Sequence, residues 1–455
     1  AESGVTSQTG EGGCPMGDLA QEIVRDLPEI TAATDTRDYL AHAARFAQRH
    51  EKYELIVDVD AHLQEAQFWP EIIELLENDV LKQTAQTMLK GGMAMPLSNL
   101  APGLNFQSMA GRVPHQSGPR ERTDDPATAG HRFVQIVRRT MDTMGVDYQV
   151  IFPTSMLLLG LNPADGVELY LSRAYNRWLC EIILPQEKRI LGMVYLPFNS
   201  PEACEQLVKE FGGVSGVVGF TVTSVRFAPV HSPSYMRLYS MIEDTGKPLV
   251  FHAGPNWNDA SFKTLNRFIS MHSLSFVHYN LIHMTNWVIN AIPERFPKLK
   301  VLWVESGLAW IPYLMQRLDH EFLMRQNEAP GLKKLPSDYM REMYFSSQPM
   351  EQVHPKALQV TMEMINAESQ LLYASDWPHW DFNPPHTVTT LPFLSDQAKR
   401  NILGLNAARL FDLPIKRLRP RPEDVVAQRK TDVLDAPAFR EAREEDAELR
   451  FPGQA

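Results

Sequence analysis

Tyr53-Glu54-Leu55-Ile56-Val57-Asp58-Val59-Asp60-Ala61-His62 is the stretch whose reading decides the fold. An apolar, β-branched run gives way to acidic residues and a histidine, as a buried strand does on reaching an open rim. Runs of the same kind follow at 148–152, 190–196, 217–222, 248–251, 300–304, 343–346 and 371–374. With 53–59 they make eight strand candidates. Helix-like segments separate most of them, at 165–184, 201–211, 234–243, 284–296, 309–324, 351–365 and 397–411. Within 165–184, Leu171, Ala174, Trp178 and Ile182 recur at helical spacing. This alternation predicts an α/β protein, a (β/α)8 TIM barrel. An open doubly wound sheet is the competing architecture. The count of eight and the absence of a Gly-rich phosphate fingerprint after the first strand favour the barrel.

The chain has 455 residues, 44 Lys+Arg against 55 Asp+Glu, and a formal net charge of −11. A hydrophobic share of 44% is that of a globular protein. The acidic balance and the lack of a basic stripe argue against nucleic acid as a partner. No run approaches the ~20 apolar residues of a membrane helix. The polar start at 1–13 shows neither the basic nor the apolar part of a signal peptide, so a cytoplasmic location is expected. Cys14, Cys180 and Cys204 have no metal-type spacing, and an odd count argues against a disulfide framework. The organisation expected is a disordered start and helical arm at 1–50, the barrel at 51–414, and a charged tail at 415–455. That tail is too polar for its own core and is expected to be disordered or to wrap a neighbouring subunit. A Gly/Pro-rich loop at 91–130 would lie over the active face of the barrel.

Metal-capable side chains stand at four strand ends. In a strand, residues two apart share a side, so Asp60 and His62 project together. The fifth strand ends at His252, the sixth at Glu305 and the eighth at Asp376. Each alone has a plainer reading: a capping aspartate, a core histidine. Together they sit where barrel enzymes hold their chemistry. Asp60, His62, His252 and Asp376 would make a nitrogen/oxygen site for a divalent metal ion, Zn, Mn or Fe. Glu305, at the end of an apolar strand, could be a general acid/base or a ligand of the same or a second metal. His278 and His283, in FVHYNLIHM at 276–284, are five apart, so one continuous helix would not put both on one face. One of them could add a ligand or an acid/base; surface or supporting roles are the alternative. His379, three residues beyond Asp376, is placed to support a ligand from behind or to meet substrate. Arg112 and His115 in the long loop could meet a carboxylate, and Trp257 and Trp377 could wall a pocket.

The joint pattern resembles the amidohydrolase superfamily, in the branch of aminocarboxymuconate semialdehyde decarboxylase and the hydroxybenzoate decarboxylases. The resemblance spans about 53–413. It rests on Asp58 to His62, MDTMGVDYQVIFP at 141–153, AYNRW at 174–178, ERFP at 294–297, WIPY at 310–313, SDWP at 375–378 and ILGLNAARLF at 402–411. It implies that Asp60, His62, His252 and Asp376 bind the catalytic metal. Decarboxylases of this branch carry a histidine at the end of strand six, where this chain has Glu305. The expected function is a divalent-metal-dependent hydrolase or decarboxylase acting on a small organic or aromatic acid, with Glu305, Asp376 and His283 as catalytic candidates. An alternative on the same barrel is a non-haem di-iron monooxygenase, with Glu305 and His278 or His283 completing a dinuclear site. A third is a non-catalytic binding barrel. A homodimer or higher homo-oligomer is expected from the resemblance and the tail.

Overall fold

The computed structural model describes residues 40, 43–44, 46–63, 68–91, 130–256, 259–262, 264–379 and 381–429. Eight parallel strands form one sheet in sequential order: β1 (Val57–Leu63), β2 (Tyr148–Pro153), β3 (Ile190–Tyr195), β4 (Val217–Thr223), β5 (Leu249–His252), β6 (Val301–Val304), β7 (Tyr344–Ser346) and β8 (Leu371–Leu372). The sheet closes between its ends. Val59 N donates to Tyr373 O at 3.0 Å, Asp376 N to Asp60 O at 2.7 Å and His62 N to Trp377 O at 2.6 Å. Helices cover the outside, as the expected barrel requires. No helix among the described residues is long and apolar enough to cross a membrane.

Two apolar layers hold the barrel. The inner one takes Val57 and Val59 from β1, Val150 and Phe152 from β2, Met193 from β3, Val250 from β5, Leu302 and Val304 from β6, and Leu372 and Ala374 from the β8 end. Only the barrel interior can gather residues from so many strands. Ala407, Leu410 and Phe411, from the helix Asn406–Phe411, join this layer. The outer layer, under the helices, includes Ala61, Phe251 and Trp303. Ala61 therefore breaks the alternation set by Val57 and Val59. The pairing of β1 with β2 shifts register between Asp58 and Ala61, as a β-bulge does. One extra residue returns Asp60 and His62 to the inner face, where strict alternation would have turned them outward. This is why β1 runs on to Leu63, past the expected end at 59.

The helix Phe268–Ile289 starts well before the expected 284. It is apolar nearly all round, which hid its period in the sequence. Trp178–Ile183 continues the preceding helix Asp165–Arg177 as a π-turn, so that expected segment is regular only in its first part. The expected arm and long loop fall mainly on 1–39 and 92–129, outside the described residues.

The tail begins packed against its own barrel. The Asp147 carboxylate accepts from Ile56 N at 2.7 Å, Leu418 N at 2.7 Å and Arg419 N at 2.9 Å, and pairs with the Arg419 guanidinium. Arg419 also donates to Tyr53 O. His50 lies in this lock, 2.9 Å from Met144 O through Nε2. Gly145 passes so close that a Cβ there would meet His50 Nε2 at 2.6 Å, and its φ of +73° also suits glycine. Burial, then the Arg419 charge, push the His50 imidazole down to about 4. The unfolded chain therefore takes up a proton that the folded chain refuses between pH 6.5 and about 4. Stability should fall as pH drops through that window, by about 3 kcal/mol from this group, and stay flat above it. Urea unfolding at pH 7.5, 5.5 and 4.5 should show the loss, and His50→Gln should remove it.

Candidate metal centre

The site is built on a brace between β1 and β8. Asp58 is fully buried. Its carboxylate accepts from Gln149 Nε2 at 2.8 Å, Ser375 N at 2.8 Å, Ser375 Oγ at 2.5 Å and Asp60 N at 3.3 Å. Burial pushes the Asp58 carboxyl up to about 7. The brace spans the bulge, so it fixes Asp60 on one strand and Asp376 on the other. Asp376 and Glu305 both adopt left-handed backbone, with φ of +61° and +59°. Such non-glycine conformations cost about 1–3 kcal/mol and persist where neighbours over-determine them. Here the neighbours are Asp60 O, accepting from Asp376 N, and Ser346 Oγ, accepting from Glu305 N at 3.1 Å.

Six donors meet at the barrel mouth. His252 Nε2 is 3.2 Å from Asp60 Oδ1, and His62 Nε2 is 3.4 Å from the same oxygen. Asp376 Oδ1 is 3.2 Å from His62 Nε2 and 2.6 Å from His379 Nδ1. Glu305 Oε2 is 3.5 Å from His252 Nδ1. Phe152 packs beside the His252 ring, at 4.7 Å between centroids. Asp60, His62, His252, Glu305 and Asp376 are all buried. Yet Asp60 Oδ2, Glu305 Oε2 and both His62 nitrogens make no hydrogen bond. Buried polar atoms without partners are costly, and several converging on one spot are the pattern of a cation site. His252 fits this. A proton on Nδ1 donates to Ala253 O at 2.8 Å and leaves the Nε2 lone pair facing the cluster.

The electrostatics agree. Burial pushes Asp60 and Asp376 upward, but the imidazoles outweigh it: His252 and His62 hold Asp60 well below the usual carboxylate range, and His379 and His62 lower Asp376. Burial opposes a charge on His62, but Asp376 and Asp60 raise it to about 10. Burial, then Asp376, Asp60 and Asp381, push Glu305 far up. Asp381 itself rises to about 7, through burial and Asp376. A group of carboxylates this close together demands positive charge, from protons or from a metal ion.

The structure thus brings together Asp60, His62, His252, Glu305, Asp376 and His379. It does not bring in His278 or His283. Both lie on the one helix Phe268–Ile289 and face different ways. His283 Nε2 donates to Ser224 O at 2.8 Å and its ring stacks on Phe251, while His278 packs on Phe262. Burial brings His283 down to about 4. Trp377 is buried in the outer apolar layer, edge-on to Phe382, where packing accounts for it. Arg112, His115 and Trp257 lie outside the described residues. Sequence reasoning passed over Gln348, just beyond β7, whose Nε2 donates to Asp376 Oδ2 at 3.0 Å. Asking what β7 carries at its end would have found it. Of the two roles expected for His379, the structure puts it against Asp376, at 2.6 Å through Nδ1.

A closed eight-stranded barrel with a buried histidine–carboxylate cluster at the strand ends defines a class of barrel enzyme. The chain belongs to the amidohydrolase family, whose profile matches residues 57–413. No curated protein matches the sequence. Among solved structures, 5-carboxyvanillate decarboxylase from Sphingomonas paucimobilis is similar, with a TM-score of 0.55 and 18% identity over 79% of this chain and 99% of that one. So is 2,6-dihydroxybenzoate decarboxylase from Rhizobium, at 0.54 and 16%, over 79% and 99%. A dihydroxybenzoic acid decarboxylase from Polaromonas, solved with bound manganese, gives 0.53 and 18%, over 79% and 97%. At these identities the likeness is one of fold.

Ser375→Ala deletes the Oγ arm of the brace and loosens Asp58, which keeps its bonds from Gln149 Nε2 and the Ser375 amide. It should weaken divalent-cation binding by about 10–100-fold, read by calorimetry, while far-UV circular dichroism stays that of the parent.

Proposed function

We propose that this chain is a divalent-metal-dependent carboxy-lyase acting on a small organic or aromatic acid. The observation that carries this reading is the gathering of buried histidines and carboxylates from β1 and from the ends of β5, β6 and β8, with Asp60 Oδ2, Glu305 Oε2 and both His62 nitrogens left without a hydrogen bond. Asp60, His62, His252 and Asp376 would hold the cation. A cation there supplies Lewis-acid polarisation of substrate oxygens. The protein does the rest. Asp58, Ser375 and Gln348 fix the ligands, and Phe152 lines the site with an apolar ring. Asp376, kept ionised, is a hydrogen-bond acceptor for the substrate's acidic protons. Glu305 and Asp381, both pushed upward, are the acids able to keep a proton at neutral pH and pass it to the carbon that loses CO2. Aromatic acid decarboxylation by the structural neighbours supports the choice of substrate class.

Hydrolysis is the second reading, favoured by an ionised Asp376 able to take a proton from water. One assay separates the two. Manganese-loaded protein is given a panel of aromatic carboxylic acids, starting with 5-carboxyvanillate and 2,6-dihydroxybenzoate, together with their amides and esters, in H₂¹⁸O. The account expects CO2 release with no ¹⁸O in the organic product. Label in the product without CO2 would mean hydrolysis, and substrate-dependent O2 uptake would mean an oxygenase. Glu305→Gln should lower turnover by about 10²–10⁴-fold.

A further inference from the structure

The helix Phe268–Ile289 follows β5 and enters from the rim at which that strand ends. Ser224 N donates to His252 O at 2.8 Å, so Ser224 is level with the end of β5. His283 Nε2 lies 2.8 Å from Ser224 O. The helix is therefore level with the strand ends at His283, and its earlier turns stand beyond the rim. At about 1.5 Å per residue, His272 is about 16 Å farther along the helix axis.

One stripe continues the inward face. His272, Phe276, Tyr279 and His283 follow at spacings of four, three and four, and so share a side of the helix. His283 meets the end of β4. Tyr279 meets the segment that leaves β5: its hydroxyl donates to Asp259 Oδ2 at 2.5 Å and accepts from Asn256 Nδ2 at 2.6 Å. His272 and Phe276, half-buried, carry the same face past the rim. The His272 ring lies between Phe268 and Phe276, at 5.3 and 4.8 Å between centroids. The charges of Asp376 and His379 both act on it, as they do on a group that overhangs their end of the barrel. Burial, the largest influence, lowers its pKa, so near pH 7.5 the imidazole is neutral and holds one ring N–H to donate.

We propose that this stripe is the outer wall of the substrate site, with Phe268 and Phe276 offering apolar faces to the ring of an aromatic acid and His272 donating a hydrogen bond to an oxygen on the ring edge opposite the carboxylate. The inference rests on the aromatic-acid reading above and narrows it to acids hydroxylated at that edge. A substrate whose carboxylate is drawn to a cation at the strand ends points its far edge out of the mouth, toward this helix. Aromatic side chains reward a flat ring there, and one polar group among them selects where the ring carries oxygen.

The test is calorimetric binding of two acids to manganese-loaded full-length protein at pH 7.5: 2-hydroxybenzoate, and 2,4-dihydroxybenzoate, which adds one hydroxyl opposite the carboxylate. One hydrogen bond is worth about a 2–10-fold change in affinity. The parent should prefer the dihydroxy acid by about that factor. His272→Phe keeps an aromatic ring and removes the donor. It should keep the parent's manganese content, bind 2-hydroxybenzoate as the parent does and lose the preference. Leu274→Ala, nearly opposite on the helix and 52% exposed in the parent, should keep it. Both acids binding the parent equally, or a preference that survives His272→Phe, overturns the contact and leaves the carboxy-lyase reading standing. A preference lost in Leu274→Ala as well assigns the effect to the helix and overturns the role of the imidazole. Neither acid binding at millimolar concentration overturns the aromatic-acid reading and this inference with it.

Discussion

The structure depends on the hydrogen bonds of one buried carboxylate. Asp58 joins β1 to the end of β8 through Ser375 and to β2 through Gln149. A parallel barrel must close its first strand on its last, and the two lie far apart in sequence. The brace sits beside the three backbone bonds of that closure. It also sits on the bulge that turns Asp60 and His62 inward. Closing the fold and aiming the ligands are therefore one event. An apolar residue at 58 would leave the Ser375 amide and the Gln149 side chain buried without partners, at about 1–3 kcal/mol each.

The cluster shows the opposite economy. Its carboxylates and imidazoles are buried together, with several polar atoms unmatched. Folding tolerates this because other parts hold the barrel together: the inner and outer apolar layers, the Asp147–Arg419 lock at the strand starts and the brace at the rim. Strain is stored in the same place, in the left-handed backbone of Glu305 and Asp376. Unmatched polarity and strain gathered at one rim mark where stability has been given up for binding.

Much of this was legible in the sequence. The strands from 148 onward lie within a few residues of the apolar runs that predicted them, because buried parallel strands read as continuous apolar runs. Metal-capable residues at strand ends were visible for the same reason: a polar side chain ends an apolar run. The end of β1 was not, since a bulge has no composition of its own and the apolar run stops at Val59. The faces of the helix Phe268–Ile289 were hidden by its uniform apolarity, which left His278 and His283 open as candidates; their five-residue spacing correctly separated their faces. Trp377 drew a pocket role from its chemistry, although ordinary packing accounts for its place. Gln348 has no metal-binding signature, and its part is set by a contact with Asp376 from another strand.

The central claim is that residues from four strands form a cation site at the mouth of this barrel. Diffraction at the manganese absorption edge, from crystals grown with Mn²⁺, tests it most directly. The account predicts anomalous density in contact with Asp60, His62, His252 and Asp376. A barrel mouth without anomalous density, or manganese found only elsewhere on the protein, would contradict it.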